Sequence, residues 1–188
     1  MSDSTLTKAI ILTVLLFFTT VMVGWVGSAG NPTLGQELIK LFEKEIAGQI
    51  DGKNPVDMCL KIFFNNLEAC ILLFLGGASF GVLTILILSL NGIVIGSIME
   101  IVSKDHTALF VAAAILPHGI FEIPAFILSG ALGILLAQSL IAEWYGREDT
   151  AVAARRFGRL FILCVLPLVA LAAFVEAFIT PVVIHLVA

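Results

Sequence analysis

The sequence predicts an all-α protein, a polytopic helical bundle embedded in a membrane. Of its 188 residues, 60% are hydrophobic and 13% are charged, and the mean hydropathy is +1.10. A soluble domain usually has about 45–50% apolar and about 25% charged residues, so this chain has too few charges to cover a water-soluble surface. The apolar runs predict one integral membrane domain with five full spans, a re-entrant half-helix and one amphipathic interfacial helix.

Composition also excludes several classes of protein. The net charge is −4, and no run of Lys or Arg is dense enough to predict a nucleic-acid partner. Cys59, Cys70 and Cys164 are odd in number, lack CxxC spacing and lie in apolar segments, so we interpret them as small hydrophobic residues. The lipid bilayer is the partner that the composition predicts.

The first span covers residues 8–28, and it is longer than the core of a signal peptide, which has about 7–15 residues. Asn31 and Pro32 then begin an amphipathic helix over about residues 32–50, with apolar side chains at helical spacing. Its opposite face carries charges of both signs rather than a basic stripe. We therefore expect this helix to lie at the membrane surface and pack on the protein.

The long apolar stretch that follows contains two spans, because one crossing needs only about 20 residues. We place them at residues 57–75 and 81–102, joined by a glycine-rich turn that makes them antiparallel neighbours. Glycines allow helices to approach closely in membranes. Seven glycines are candidate helix-packing residues: Gly76, Gly77, Gly81, Gly92, Gly96, Gly130 and Gly133.

A short apolar run at residues 107–116 predicts the half-helix. Ten helical residues reach about 15 Å, which is half the thickness of the hydrocarbon core. The fourth span follows at residues 117–142 and the fifth at residues 159–180. Three residues are candidates for the break between half-helix and span: Pro117, Gly119 and Pro124.

The polar loop over residues 143–159 sets the expected orientation. It carries Arg147, Arg155, Arg156 and Arg159. Because cytoplasmic loops are enriched in Lys and Arg, this loop predicts a multi-pass cell-membrane protein with a cytoplasmic N-terminus and an external C-terminus.

Several polar residues converge at one depth of the predicted bundle. An ionisable side chain in hydrocarbon is costly, so it should face the protein interior and find a partner. At 1.5 Å per helical residue, the polar residues of four spans fall in the same half of the bilayer. The candidates for this intramembrane polar cluster are His118, Glu122, Glu176, Asn91, Asn65, Asn66 and Glu68.

Three interpretations of the cluster are open. It can be a hydrogen-bond network that fixes the bundle, an ion or proton pathway, or a metal site formed by His118, Glu122 and Glu176, with a divalent cation as the candidate cofactor. The metalloprotease pattern needs a second histidine on the same helix, whereas His106 and His185 lie in interfacial positions. We assign no catalytic residue and do not expect an enzyme.

Four blocks then follow one another along nearly the whole chain: Asn65-Asn66, Asn91-Gly92 with Gly96, Leu116-Pro117-His118-Gly119-Ile120-Phe121-Glu122-Ile123-Pro124-Ala125, and Glu176-Ala177-Phe178-Ile179-Thr180-Pro181. With these blocks the chain resembles the stage II sporulation protein M family of polytopic membrane proteins. The resemblance implies a membrane scaffold, which in sporulating bacteria acts with cell-wall hydrolases at the septum during forespore engulfment. This compact chain is similar to relatives from organisms that do not sporulate, including archaea.

Three hypotheses on function follow. The first is a membrane scaffold or assembly component, a homodimer through its glycine-lined spans, with other membrane or cell-envelope proteins as partners. The second is a small ion or solute transporter or channel that uses the polar cluster. The third is a metal-dependent membrane enzyme.

Overall fold

Seven α-helices follow one another in the part of the chain that the computed structural model describes, residues 3–31, 33, 37 and 54–187. They are α1 (Asp3–Gly30), α2 (Pro55–Leu75), α3 (Val82–Asp105), α4 (Ala108–Trp144), α5 (Thr150–Leu160), α6 (Leu166–Phe174) and α7 (Thr180–Val187). No strand occurs among these residues. The amphipathic helix predicted over residues 32–50 falls outside them, apart from Thr33 and Glu37.

Five helical stretches are long and apolar enough to cross a membrane, which confirms the predicted class of fold. They are Thr5–Gly30, Pro55–Ser79, Val82–Lys104, Ala108–Trp144 and Thr150–Leu186. The last stretch is continuous, since π-helical segments at Phe161–Val165 and Val175–Ile179 join α5 to α6 and α6 to α7.

The predicted helix boundary at Pro117 is wrong. Pro117 and Pro124 both lie inside α4, which runs without a break for 37 residues. Each proline removes one backbone donor, but neighbouring helices can stabilise a proline inside a membrane helix. At about 55 Å, α4 exceeds the hydrocarbon core of about 30 Å, and a tilt of about 20° shortens it by only about 3 Å. Residues 107–116 are thus the start of a long helix, and their depth in the membrane stays a prediction.

Helix α4 is the axis of the bundle. Of its most apolar stretch, 67% is buried inside the protein, against 28–33% in the other four spans. Its buried residues belong to two hydrophobic clusters, one shared with α5 and α6 and the other with α1 and α3. The other helices therefore pack around α4 and leave their outer faces to the lipid.

The polar segment after α4 is mostly helical, which corrects the predicted loop over residues 143–159. The Asp149 carboxylate accepts hydrogen bonds from the backbone N–H groups of Ala151 and Val152, at 2.9 and 3.2 Å, and so caps α5. Ala153 and Phe157 bury one face of α5 against the core. Three of the predicted loop arginines lie on its exposed side: Arg155, Arg156 and Arg159.

Both π-helical segments are placed by prolines. Each ends two residues before one, so that the backbone N–H of Leu166 donates to the carbonyl of Phe161 ahead of Pro167. The N–H of Thr180 donates to the carbonyl of Val175 ahead of Pro181 in the same way. A π turn adds one residue, which keeps a buried stripe facing α4 at a strict spacing of four: Ala153, Phe157, Phe161, Val165 and Val169.

Glycines bring α1 and α3 into backbone contact as parallel neighbours. A Cβ atom on Gly92 would meet the Thr20 side chain, and one on Gly96 would meet the Val21 carbonyl. The Ser97 hydroxyl donates across the same contact to the carbonyl of Gly24 at 3.3 Å. This is the geometry that small residues permit in membrane helices.

The α2–α3 turn also packs by glycines, here against α4. Gly77 and Gly133 lie so close that a Cβ on Gly77 would meet the Gly133 carbonyl. Gly81 has a φ of 85°, which favours glycine, and it faces Ala137 of α4. The Thr84 hydroxyl closes the turn by donating to the Leu73 carbonyl at 2.9 Å. These glycines make their close contacts within the chain, and the homodimer stays a prediction.

Gly96→Ala should lower the free energy of unfolding by about 1–3 kcal/mol, because its methyl group would overlap the α1 backbone. SDS titration in mixed micelles, followed by circular dichroism, measures the change. The matched control is Gly27→Ala on α1, where nothing lies within 4 Å of an added Cβ. An equal loss in both variants would contradict the proposed backbone contact.

Candidate functional site

The structure brings together His118, Glu122 and Glu176 between α4 and the C-terminal helix. One ligand atom from each residue can be chosen so that all three atoms lie within 4.8 Å of one another. The Nε2 atom of His118 lies 3.9 Å from the nearer oxygen of Glu122. The cluster is mostly enclosed, since the His118 and Glu122 side chains are 17% and 21% exposed.

Local backbone structure positions each of the three side chains. His118 and Glu122 stand one turn apart on α4, between its two prolines, and so share one face. Glu176 is the second residue of the π-helical segment Val175–Ile179. Single-turn π segments inside α-helices occur frequently at functional sites. The wider turn places Glu176 where the C-terminal helix faces the His118–Glu122 pair.

The three side chains converge without bonding to one another. The separation of 3.9 Å between His118 and Glu122 is too long for a hydrogen bond. The Nδ1 atom of His118 is buried and has no hydrogen-bond partner. Among the described residues, no Lys or Arg forms an ion pair with Glu122 or Glu176.

The buried carboxylate of Glu100 differs from those of the cluster because it is paired with a lysine. Glu100 on α3 is 4% exposed, and one of its oxygens lies 2.8 Å from the Nζ atom of Lys104. The long lysine side chain can reach toward the membrane surface while its ammonium group stays paired. Glu100 therefore has a counter-charge within its own helix, which the two cluster carboxylates lack.

No hydrogen bond or ion pair among the described residues joins the remaining predicted members to these three side chains. The Asn91 side-chain amide donates to the Ile87 carbonyl of its own helix at 2.9 Å. Asn65 and Glu68 are exposed on α2, whereas Asn66 is buried. The other two histidines are exposed, and His106 stacks on Phe110 with ring centroids 4.0 Å apart.

Sequence reasoning missed a buried thiol beside the cluster. Cys70 on α2 is fully buried beside the Ser129 side chain and lies within electrostatic range of Glu122. The Ser129 hydroxyl donates to the Ala125 carbonyl at 2.8 Å. The spacing of seven residues, two helical turns, between Glu122 and Ser129 is the signal that would have placed them on one face. Helix α2 thus supplies the third wall of the site.

This arrangement offers one imidazole nitrogen and two carboxylates to a positively charged ligand. Such a mixed nitrogen and oxygen donor set is typical of metal sites. A proton shared between the groups is the other cation that fits their chemistry. The site is thus suited to binding a cation.

Comparison with known proteins agrees with this architecture. The sequence model of the family described as Stage II sporulation protein M matches residues 13–181. An uncharacterized protein of Methanocaldococcus jannaschii is 30% identical over 176 residues, which cover 92% of this chain and 93% of the relative. A second uncharacterized protein of that organism is 28% identical over 110 residues, 57% of this chain and 48% of the relative. No solved structure matches the chain significantly.

Asn91→Leu should change the free energy of unfolding by no more than about 0.5 kcal/mol. The amide donates only to a helix carbonyl on its own helix, so its loss leaves no buried group of the cluster unpaired. Parallel SDS titrations of the wild type and the variant measure the difference. A loss of more than about 2 kcal/mol would show that Asn91 stabilises the cluster after all.

Proposed function

The chain belongs to the stage II sporulation protein M family, and from that premise we propose that it is a membrane scaffold component whose polar cluster fixes the position of its partner-binding surface. One observation supports this proposal above the others. The two helices that meet at the cluster are also the two that form a hairpin projecting from the opposite end of the bundle. The matching relatives come from Methanocaldococcus jannaschii, so the proposal concerns membrane assembly in general rather than spore formation.

The projecting hairpin consists of the end of α4 and the start of α5. The α2–α3 turn packs on α4 at the level of Gly133 and Ala137. Helix α4 continues for another seven residues to Trp144, which is about 10 Å farther along the helix axis. The hydroxyl groups of Ser139 and Thr150 form a buried hydrogen bond of 3.4 Å that joins the two arms of the hairpin.

The tip of this hairpin exposes large side chains. Trp144 is 81% exposed, Tyr145 is 66% exposed and Val152 is 60% exposed. The guanidinium of Arg147 lies 5.4 Å from the centre of the Tyr145 ring. Aromatic residues and arginine are the residue types enriched at protein interfaces, so this tip is the surface that we assign to a membrane-protein or cell-envelope partner.

A rigid bundle can transmit the state of the cluster to that tip. Glu122 and Trp144 are about 33 Å apart along one continuous helix. Glycine contacts fix α4 against the α2–α3 turn on one side, and the buried stripe of α5 and α6 fixes it on the other. We propose that a change at the cluster shifts α4 relative to the C-terminal helix and so alters the angle between the two arms of the hairpin.

We also propose how the chain is oriented in the membrane. Arg147, Arg155, Arg156 and Arg159 all lie in or beside the projecting hairpin. Because arginine is enriched on the inner side of membranes, this distribution favours a cytoplasmic hairpin and N-terminus and an external C-terminus. The cluster then lies in the outer half of the bilayer.

Photo-crosslinking in cells tests the scaffold. A photoreactive amino acid at Val152 should give a discrete adduct with one partner protein, because this position is exposed at the hairpin tip. The adduct should fall at least fivefold in yield in the Glu122→Ala/Glu176→Ala variant, since the side chains that join the two helices are gone. Quantitative immunoblotting of membrane fractions measures the yield.

Two controls define the outcome. Glu68→Ala removes an exposed carboxyl group from a span without touching the cluster, and its adduct should persist. The same photoreactive residue at Leu15, which is 60% exposed on α1, should give no discrete protein adduct. An adduct at Val152 that is equally strong with and without the two cluster carboxylates would refute the coupling.

A transporter is the second candidate, and the partial exposure of the cluster favours it. His118 and Glu122 retain 17% and 21% of their side-chain accessibility, so a small cation can reach them. Intramembrane carboxylates and histidines of this kind mark ion and proton pathways in many pumps and transporters. We rank the transporter second because the other helices enclose the inner part of α4.

Proteoliposomes separate the two candidates. The scaffold proposal expects cation and proton flux at the level of protein-free liposomes, recorded with an entrapped fluorescent indicator. A transporter would instead give flux that is abolished by Glu122→Gln together with Glu176→Gln and unchanged by Glu68→Gln. That second pattern would replace the scaffold as the primary function.

A further inference from the structure

We propose that His118, Glu122 and Glu176 bind one divalent metal ion of the Zn²⁺ or Mn²⁺ class between α4 and the C-terminal helix. The inference rests on the same cluster as the proposed function and names its ligand. It does not require that the hairpin recruit a partner. Four features of the cluster support a metal ion: the distances, the charge, the donor set and the backbone that presents Glu176.

The distances suit an ion rather than direct bonds. Zn–N and Zn–O bonds are about 2.0–2.2 Å long, so two ligand atoms on one tetrahedral ion lie about 3.3–3.6 Å apart. The separation of 3.9 Å between His118 Nε2 and Glu122 is slightly longer than that spacing. The three ligand atoms lie within 4.8 Å of one another, so side-chain shifts of about 0.5–1.5 Å complete the site.

The charge selects a divalent ion. Two carboxylates and one divalent cation carry no net charge, whereas a monovalent cation leaves one negative charge uncompensated inside the spans. Uncompensated charge in a low-dielectric interior is costly, and no Lys or Arg of the described chain forms an ion pair with either carboxylate. A divalent cation bound between the two carboxylates would supply the counter-charge for both of them.

The donor set narrows the class of metal. Imidazole suits zinc, manganese and other first-row transition metals, whereas Ca²⁺ takes six to eight oxygen ligands and Mg²⁺ retains several waters. No hydrogen bond of the described residues occupies the Nδ1 atom of the buried His118 ring, so the ring is available as a ligand. Three protein ligands also leave a fourth position of a tetrahedral ion for water.

The backbone at Glu176 is the independent observation. The π-helical segment Val175–Ile179 widens the helix at the position where the third ligand is needed. The Thr180 hydroxyl bonds to the same Val175 carbonyl as its own backbone N–H, at 3.3 Å. These two hydrogen bonds to one carbonyl hold the widened turn in place and so set the direction of the Glu176 side chain.

Metal analysis of the full-length protein with its affinity tag removed tests the inference. After chelator treatment, incubation with ZnCl₂ or MnCl₂ and desalting, elemental analysis should find about one ion per chain. A hundredfold excess of metal over its Kd should raise the thermal midpoint by about 5–10 °C. CaCl₂, MgCl₂ and NaCl at equal concentrations should raise it by less than about a fifth of that amount.

Matched variants locate the ion. Glu122→Gln and Glu176→Gln keep the side-chain size and should each lower metal affinity at least tenfold, as should His118→Gln. His106→Gln and Glu68→Gln remove an exposed histidine and an exposed carboxyl group, and both should bind like the wild type. Size-exclusion chromatography and circular dichroism identify any variant that fails to fold, and the wild-type stoichiometry stands as a test without variants.

The outcomes separate this inference from the scaffold. A wild-type protein that binds no stoichiometric metal, or metal that persists in Glu122→Gln/Glu176→Gln, overturns the metal site while the crosslinking result decides the scaffold. Stoichiometric metal together with crosslinking that ignores the cluster supports the metal site and overturns the scaffold coupling. Stabilisation by NaCl or by low pH alone would mean that the cluster takes a monovalent cation or a proton.

Discussion

Every polar group in the spans has to be satisfied without bulk water, and this constraint governs the rest of the structure. Most of the buried hydroxyl groups follow it in one way, by donating to a backbone carbonyl, whereas those of Ser139 and Thr150 bond to each other. Thr13, Thr20 and Ser129 donate within their own helices at 2.8 Å. Thr84 and Ser97 donate to a carbonyl of a neighbouring helix or of the turn. Each of these hydrogen bonds satisfies a buried hydroxyl and also joins two structural elements.

Close packing around α4 follows from the same constraint. Lipid tails are as apolar as the side chains that face them, so burying leucine against leucine gives little driving force for association in a membrane. Backbone approach through small residues supplies the contact instead. Gly92 and Gly96 bring α3 against α1, while Gly77 and Gly133 bring the α2–α3 turn against α4. The bundle is therefore held by a few positions at which no side chain larger than hydrogen fits.

The sequence was sufficient for the number of spans and for the pairing of α2 with α3, because both depend on hydropathy and on a glycine-rich turn. It was insufficient at Pro117, since a proline's effect depends on whether neighbouring helices support the missing hydrogen bond. It also placed the arginines of α5 in a loop. Their spacing is compatible with a helix, but the burial of Ala153 and Phe157 that stabilises it is a tertiary contact.

Depth in the membrane, counted from the sequence, was a good predictor of which charged residues form the site and a poor predictor for the asparagine side chains. His118, Glu122 and Glu176 meet because each is costly to leave in lipid and the two carboxylates have no counter-charge within their own helices. The Asn91 side chain instead donates a hydrogen bond to a carbonyl one turn away on its own helix. Counting residues along a helix gives depth but not azimuth, so it could not separate Asn66, which is buried, from Asn65, which is exposed.

The way in which the polar groups are satisfied distinguishes a hydrogen-bond network that only joins two helices from an ion site. A cluster that evolved only to hold two helices together would gain most from direct hydrogen bonds, and Glu100 shows that this chain can pair a buried carboxylate at 2.8 Å. At the cluster the groups converge and stop short of bonding, with His118 Nε2 3.9 Å from Glu122 and His118 Nδ1 buried without a hydrogen-bond partner. Three donors are held at that spacing by a proline-bounded helix and a π-helical turn, which is the arrangement from which we infer a cation site. A divalent cation would supply the charge and the bonds together.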